Sequence, residues 1–576
     1  MSVPYIQPTP DPVAVRALTD AGIAPLVAHL LVLRGADTVT AAEAFLRPAL
    51  RDLPDPHLMA DCEKAAALLC DAIVARKQIC VYGDYDVDGI SAAALLHDVL
   101  VMAGARPKVF LPDRLRDGYG LHLGRLTELA QAGAQVFVSA DCGTSSHKEI
   151  VAMRALGCQF VVCDHHALLP TLPDADAVLN PRRLDCQYPD KNLCAVGVAL
   201  VLAQALKRVC VARSLCTPQA FDLRDVMELA ALGTIGDVVE LRHVNRTLAL
   251  HGLRALGQSK RPGVAAMAQT LTSSKLAASR VGFALGPKIN AAGRIAEPRT
   301  AFEVLTTRDA ARGHDLAVQL DVAHVRRKVM TKQMVAEGLA LAEEQPRDGA
   351  LVVAQRGWHP GVVGLVAMRL SERFEMPTFA LAIDADGLTR GSGRSVPGFD
   401  LVAALHACAA DLLDRFGGHA YAAGVTLQAE RIPAFAQRLS AYVQQTLGRV
   451  RTPRELRVDA EIGAAEANLD LLDLLEQLEP YGKGNAAPHF LMRGVQLQKF
   501  SLMGDSGFAS GFWHEPGPQA AYARSSVRGF GPIHAWGDAR NDGHYDVVLK
   551  LERDAYNNKQ YAQARVELVL PASAAR

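Results

Sequence analysis

The sequence predicts an α/β protein: two α/β lobes with parallel sheets, joined by a long helix and followed by a β-rich barrel. Three observations predict it. Strand-like and helical runs alternate from about 64 to 240 and again from about 348 to 446. Between these stretches, residues 298–344 carry few turn signals apart from Gly313 and Gly338. Beyond about 455 the pattern changes to short β segments interrupted by one helix. These shifts divide the 576 residues into 1–63, 64–240, 241–347, 348–450 and 455–573.

Composition bounds the rest. Half of the residues are apolar and a fifth are charged, an ordinary globular balance in which each unit can bury its own core. Lys+Arg and Asp+Glu both number 61, so zero net charge argues against a nonspecific polyanion coat while leaving room for a local basic groove. The eleven Cys are scattered, with no Cys-x-x-Cys pair, which fits a reducing compartment rather than a zinc module. Met1–Pro10 lacks the charged start and apolar core of a signal peptide. No apolar run approaches the ~20 residues of a membrane span. The expectation is a soluble, cytoplasmic monomer with no membrane partner.

Taken in order, residues 1–63 are Pro-rich and then helical at 13–18 and 23–31, with Leu53-Pro54-Asp55-Pro56 as a break. This segment carries no evident chemistry and reads as packing material. Strands follow at 79–82, 108–111, 136–140, 159–163 and 177–179, with helices such as 122–132 and 147–156 between them. That alternation is the pattern of a doubly wound parallel sheet, whose ligands gather at the carboxyl ends of its strands.

The chemistry-bearing residues fall at those ends. The first strand runs into Gly83-Asp84-Tyr85-Asp86-Val87-Asp88-Gly89. Later strands end in Asp141-Cys142-Gly143 and Asp164-His165-His166, and a Leu/Ala-rich helix (225–232) leads to Asp237. Singly, each has an ordinary reading: Asp141 as a helix cap, the histidines as loop residues, Asp237 as a turn. Together they put five or more carboxylates and two imidazoles in one crevice, which demands a cation among them. Mostly oxygen ligands with one imidazole suit Mn²⁺ or Mg²⁺ rather than Zn²⁺. Two such ions about 3.5–4 Å apart support in-line phosphoryl displacement. A second, partly protonated His could bind a phosphate oxygen. Arg114, Lys288 and Arg294, beside Gly-rich turns, make candidate backbone-phosphate contacts.

The region 298–344 reads as a helical connector, basic at Arg326, Arg327, Lys328 and Lys332. In the second lobe, strands at 351–354 and 378–383 flank a helix at 365–373. Gly391-Ser392-Gly393-Arg394-Ser395 and Gly417-Gly418-His419 read as Gly-rich turns that expose N–H groups to an anion, with Arg394 and His419 adding charge. Beyond 455, strands are expected at 455–460, 496–498, 535–536 and 545–551 and a helix at 468–477, as in a five-stranded OB-like barrel. Tyr481, Phe490, Phe500, Phe512, Trp513 and Trp536 are candidate base-stacking residues, several of which must be core.

Asp164-His165-His166, with the upstream Asp-x-Asp-x-Asp-Gly, resembles the DHH phosphoesterase superfamily. The resemblance implies a two-metal site with Asp84, Asp86, Asp88, Asp141, His165 and Asp237 as ligands. It places His166 on the scissile phosphate and makes Asp164 the orienting partner of the histidines. Asp84 stands where many members have His. Further segments, in order over most of 64–490, are similar to the RecJ exonucleases of that superfamily. These are Leu111–Gly120, Val178-Leu179-Asn180-Pro181-Arg182, Gly286–Arg294 with Lys288 where Arg is usual, and Pro480-Tyr481-Gly482-Lys483-Gly484-Asn485. The glycine-rich stretches of the second lobe look like the DHHA1 domain. By that analogy Ser392, Arg394, Gly418 and His419 contact substrate phosphate, and Arg114 and Arg394 anchor the terminal one. The resemblance implies a metal-dependent 5′-to-3′ exonuclease releasing mononucleotides from single-stranded DNA in repair and recombination, with single-strand-binding protein and a RecQ-type helicase as partners. Two other readings compete: a phosphodiesterase for short or cyclic oligonucleotides, disfavoured by the barrel, and an inactive binding scaffold, disfavoured by the full set of acidic residues.

Overall fold

The apolar runs of the first lobe become five parallel strands in the computed structural model, which describes residues 5–269, 271, 276–346, 349–447, 456–504, 507–515, 526–556 and 559–572. They are β1 (Ile79–Gly83), β2 (Lys108–Phe110), β3 (Val136–Ala140), β4 (Gln159–Cys163) and β5 (Ala177–Leu179). Their spatial order is β2-β1-β3-β4-β5, and every pair is parallel. Ile79, Val81, Val136, Val138 and Val161 pack with helices 62–74, 87–102 and 195–212. Cys80, Tyr82, Phe137 and Phe160 pack on the other face with Leu126, Ile150 and Met153. Both faces are covered, which is why the strands read as continuous apolar runs. From β1 the chain turns one way to β2, then crosses back to β3 on the other side. The loops after β1 and β3 therefore diverge over a crevice. Ala195–Ala212, the one described helix long and apolar enough to cross a membrane, is 67% buried and lies in this core.

The connector is two helices. Pro298–Thr306 stops, and Ala310–Glu343 restarts where the Asp309 side chain accepts the Arg312 N–H. Gly286–Ile295, where Lys288 and Arg294 were expected beside Gly-rich turns, is also a helix, with Pro287 in its first turn.

The second lobe departs from an all-parallel sheet. Its strands are β6 (Leu351–Arg356), β7 (Thr378–Ile383), β8 (Leu388–Arg394), β9 (Arg415–His419) and β10 (Ala422–Gln428), in the order β9-β10-β8-β7-β6. Only β6 and β7 are parallel. The connections from β7 to β8 and from β9 to β10 are too short for a crossover, so those strands return antiparallel. The two glycine-rich stretches are thus strands rather than turns. A Cβ at Gly391 would strike Leu381, and one at Gly393 would strike the Phe379 ring. The glycines make room for side chains of β7.

In the C-terminal region β11 (Ala460–Glu461), β12 (Phe490–Leu502), β13 (Phe508–His514), β14 (Ser526–Pro532), β15 (His544–Tyr556) and β16 (Lys559–Pro571) form one sheet. The ring β12-β13-β14-β16-β15 closes back on β12, giving the five-stranded barrel, with β11 added alongside β12. Residues 496–498 belong to the longer β12. Residues 535–536, expected as strand, lie in the helical turn Ile533–Trp536. There Trp536 stacks on Trp513 inside the barrel (5.3 Å between centroids), so packing overrides β propensity. Residue 455 and residues 516–525 lie outside the described residues. The N-terminal helices Pro12–Asp20, Pro25–Leu33 and Val39–Leu46 pack against this barrel rather than forming a core of their own.

Candidate metal centre and phosphate site

The crevice over β1 and β3 gathers the acidic residues. Asp86 caps the helix Val87–Met102, its Oδ1 accepting the N–H groups of Asp88 and Gly89 at 3.0 Å. Asp84 leaves the end of β1 just before that cap. Helix Gly286–Ile295 presses on this loop from outside: Asn290 Oδ1 accepts the Val87 N–H at 2.8 Å, and a Cβ at Gly293 would strike the Tyr85 carbonyl. Asp141 follows β3 with φ +68°, a left-handed conformation that Asp tolerates better than most residues. Asp237 ends the helix Met227–Gly236, and a Cβ at Gly236 would overlap Val87.

Three groups of potential metal-binding atoms result, each within 4.8 Å: Asp84/Asp86/Asp141, Asp88/His165/Asp237, and Asp141/His165/His166. His165 Nε2 lies 3.2 Å from Asp141 Oδ1, 3.8 Å from Asp237 Oδ2 and 3.9 Å from Asp88 Oδ2. Asp88 differs from its neighbours, because both its oxygens already accept N–H groups, from Ala195 (2.6 Å) and Val196 (2.9 Å).

The electrostatics call for cations. Burial, then repulsion from Asp86, pushes Asp84 and Asp141 well above the usual carboxylate range. The same two causes push Asp88 up to about 7, and burial with Asp88 pushes Asp237 up to about 8. Oδ1 of Asp84 and of Asp141 are buried without a hydrogen-bond partner. Buried, mutually repelling and unsatisfied oxygens with one neutral imidazole fit hard divalent ions. Burial, then His166, brings His165 down to about 3, so it stays neutral and able to ligate.

Asp164 organises the histidines. Its Oδ1 accepts the N–H of His165 (2.7 Å) and of His166 (3.2 Å) and lies 2.8 Å from His166 Nδ1, while Oδ2 accepts the Thr144 N–H (3.0 Å). Burial opposes its ionisation, but these bonds and the imidazole charge hold it well below the usual range. Burial likewise opposes a charged His166, and the bond to Asp164 outweighs it, raising His166 to about 9. Asn180 donates to the His166 carbonyl (2.9 Å) and to Thr144 Oγ1 (3.2 Å), closing the loop. The His166 ring stacks on His419 of the second lobe at 5.5 Å and 15°. His419 therefore stands at the metal centre.

A second cluster is basic. Arg394 Nη1 donates to Ser392 Oγ (2.9 Å), and both side chains abut Gly364 at the start of helix Val363–Phe374. Burial, then Arg114, Arg327 and Arg394, brings Arg294 down to about 9, and its Nε is buried without a partner. Arg114 lies over the Tyr85 ring at 5.2 Å. Four like-charged guanidiniums held this closely suit an anion among them. Lys288 is not one of them: it is ion-paired at 2.6 Å with Asp321 of the connector. Gly418 serves the hairpin, because a Cβ there would strike the Ala422 carbonyl. Of the candidate stacking residues, Phe490, Trp513 and Trp536 are core, and the Tyr481 hydroxyl donates to the Leu475 carbonyl. Phe500 and Phe512 are half-buried.

Sequence reasoning missed three residues and placed a fourth, Arg327, only among the basic residues of the connector. The Tyr119 hydroxyl donates to the Asp141 carbonyl (3.2 Å) and lies 3.1 Å from His166 Nδ1. Asn290 braces the acidic loop, Arg327 joins the basic cluster, and Phe508 stacks on Phe530 at the barrel surface (5.0 Å, 3°). Tyr119 and Asn290 lie within the segments that resemble RecJ, which was the available signal.

Comparison with known proteins agrees with this layout. Residues 78–234 match the DHH family N-terminal domain, 348–445 the DHHA1 domain and 458–567 the RecJ OB domain. The chain is 35% identical over 502 residues to the single-stranded-DNA-specific exonuclease RecJ of Bacillus subtilis, covering 86% of this chain and 62% of that one. It is 36% identical over 472 residues to that of Dickeya dadantii, covering 79% and 81%. The crystal structure of Thermus thermophilus RecJ in complex with Mn²⁺ superimposes with a TM-score of 0.84 at 29% identity, over 99% of this chain and 80% of that one. The Mg²⁺ complex gives 0.78 at 27%, over 99% and 79%. A shared domain order, continuous sequence identity and one superimposable architecture lead to a single conclusion: the chain belongs to the RecJ family.

Proposed function

We propose that this chain is a metal-dependent exonuclease that degrades single-stranded DNA 5′ to 3′, releasing 5′-mononucleotides in repair and recombination. One observation carries the reading. The register His419↔Ala422↔Arg394 sets the metal centre and the arginine cluster two strand spacings apart, about 10 Å. That gap suits one nucleoside between a scissile phosphate and a terminal phosphate. The 5′ polarity rests on the resemblance to RecJ.

Asp84, Asp86 and Asp141 would hold one Mn²⁺ or Mg²⁺, and Asp88, His165 and Asp237 a second. Such a pair activates water and offsets charge on the phosphoryl group in an in-line displacement. The chain's own residues do the rest. His166, kept protonated by Asp164, donates to a phosphate oxygen at the scissile position. His419 holds the His166 ring from the opposite lobe. Arg114, Arg294, Arg394 and Ser392 grip the terminal phosphate, fixing how far the strand advances. The preference for a single strand over a duplex rests on the same resemblance to RecJ. Cytoplasmic location, and single-strand-binding protein and a RecQ-type helicase as partners, are proposed on the same resemblance.

The test is an internally labelled ~50-nucleotide strand with a 5′ phosphate, compared with its duplex, in Mn²⁺, Mg²⁺ or chelator. Mononucleotides released from the 5′ end of the single strand, only with metal, support the reading. Survival of that strand while dinucleotides or cyclic dinucleotides are cut would overturn it.

A further inference from the structure

A polar cleft of about 400 Å³ lies beside the metal centre, and none of the four clustered arginines lines it. Tyr119, which touches both His166 and the Asp141 carbonyl, forms its inner wall. His122, Ser145, Ser146 and Glu149 of the first lobe line it, and Arg415 closes it from the second. The proposed function uses neither Arg415 nor this space.

Arg415 begins β9, the edge strand of the second sheet. Alternation along a strand puts Arg415, Gly417 and His419 on one side. His419 is stacked on His166, so Arg415 stands four residues away, about 13 Å at 3.3 Å per residue. Between them Gly417 and Gly418 present exposed backbone with no side chain. That is a surface a nucleic-acid backbone can approach closely. Arg415 is itself exposed, and no hydrogen bond or ion pair engages its guanidinium among the described residues. An unpaired guanidinium at the mouth of a polar cleft, in line with the scissile position, is suited to a phosphodiester.

We propose that β9 and this cleft form a track for the DNA on the 3′ side of the scissile bond, with Arg415 holding a phosphate there, an inference that rests on the exonuclease reading. The strand would turn at His419. Its terminal nucleotide lies across the sheet toward Arg394, and the rest runs along β9. The 13 Å span corresponds to about four nucleotides at the ~3.4 Å rise of a stacked strand, and to fewer if it is extended. Glu149 is the one carboxylate lining the cleft, so the phosphate sits on the Arg415 side and Glu149 opposes it.

The experiment compares kcat/KM for a 5′-phosphorylated dinucleotide and a 5′-phosphorylated octamer in wild type, Arg415→Ala, Arg415→Lys and Glu149→Gln. Wild type is expected to favour the octamer. Arg415→Ala lowers that preference roughly tenfold, the loss of one charge-assisted contact. Arg415→Lys restores most of it, and Glu149→Gln raises it. Octamer binding in chelator loses about 0.7 from its salt slope in Arg415→Ala, one phosphate contact on a single strand. Equal loss on both substrates, or a preference and slope unchanged from wild type, overturns the track. If wild type cuts neither substrate, it is the exonuclease reading that fails.

Discussion

The two lobes present their candidate site residues by opposite means. The first places Asp84, Asp86, Asp141, His165 and His166 on loops at the carboxyl ends of parallel strands. The second places Ser392, Arg394 and His419 on the strands of an antiparallel sheet. Parallel strands all end at one edge, so the loops leaving them can crowd charges that repel, and the crowding selects for metal. Antiparallel strands keep a fixed pitch, so they space groups instead. One lobe supplies charge density, and the other supplies distance.

Breaking the first lobe's contribution should have the largest effect. Asp141 belongs to two of the three metal-competent groups. Asp141→Ala should lower kcat on single-stranded DNA by at least about 10³-fold, as loss of preorganised charge does at such centres, while leaving strand binding largely intact. A gel assay beside a binding titration would show it, and full activity would sink the ligand assignment. Breaking the spacing should cost less. Arg394→Ala should lower kcat/KM by about 10²-fold on a strand with a 5′ phosphate and far less on one with a 5′ hydroxyl, because only the first loses a charge-assisted contact. An equal loss on both would move Arg394 out of the terminal-phosphate role.

The lobes should also separate in their response to pH without metal. Burial and mutual repulsion raise Asp88 to about 7 and Asp237 to about 8, above the ordinary value of 3.8. The folded state therefore binds protons more tightly than the unfolded chain. The stability this gives is present below pH ~4 and is lost as pH rises through 7 and 8. The Tm of the chelated protein should fall across that window, and Mn²⁺ should remove the fall by binding the ionised carboxylates. A chelated Tm that rises steadily from pH 5 to 8 would contradict the repulsive cluster.

The same contrast explains what the sequence disclosed. Three Asp in five residues at a strand end are rare enough to announce themselves, and the parallel alternation located their partners from 141 to 237. The second lobe was harder. Gly391 and Gly393 read as a turn because glycine is the commonest turn residue, yet they are glycine to clear Leu381 and Phe379 on the next strand. Trp536 read as strand from its type, but it plugs the barrel from a helical turn. Lys288 read as a phosphate contact because Asp321, its partner, is 33 positions away. Contacts across elements, unlike local spacing, leave no local mark.

The smallest effect expected is at the point where the two designs meet. Tyr119 touches His166, the residue stacked against the second lobe, and its hydroxyl also donates to the Asp141 carbonyl. His166 keeps its bond to Asp164 without Tyr119, so its charge and orientation are over-determined. Removing the hydroxyl deletes its bond to the Asp141 carbonyl, worth about 0.5–1.5 kcal/mol, together with a contact to an imidazole that Asp164 already holds. Tyr119→Phe should therefore lower kcat about three- to tenfold, with KM for a long strand nearly unchanged. His166→Ala, which removes the donor itself, should cost far more. If Tyr119→Phe proved as damaging as His166→Ala, the hydroxyl itself would be the group on the reacting phosphate, the role proposed for His166.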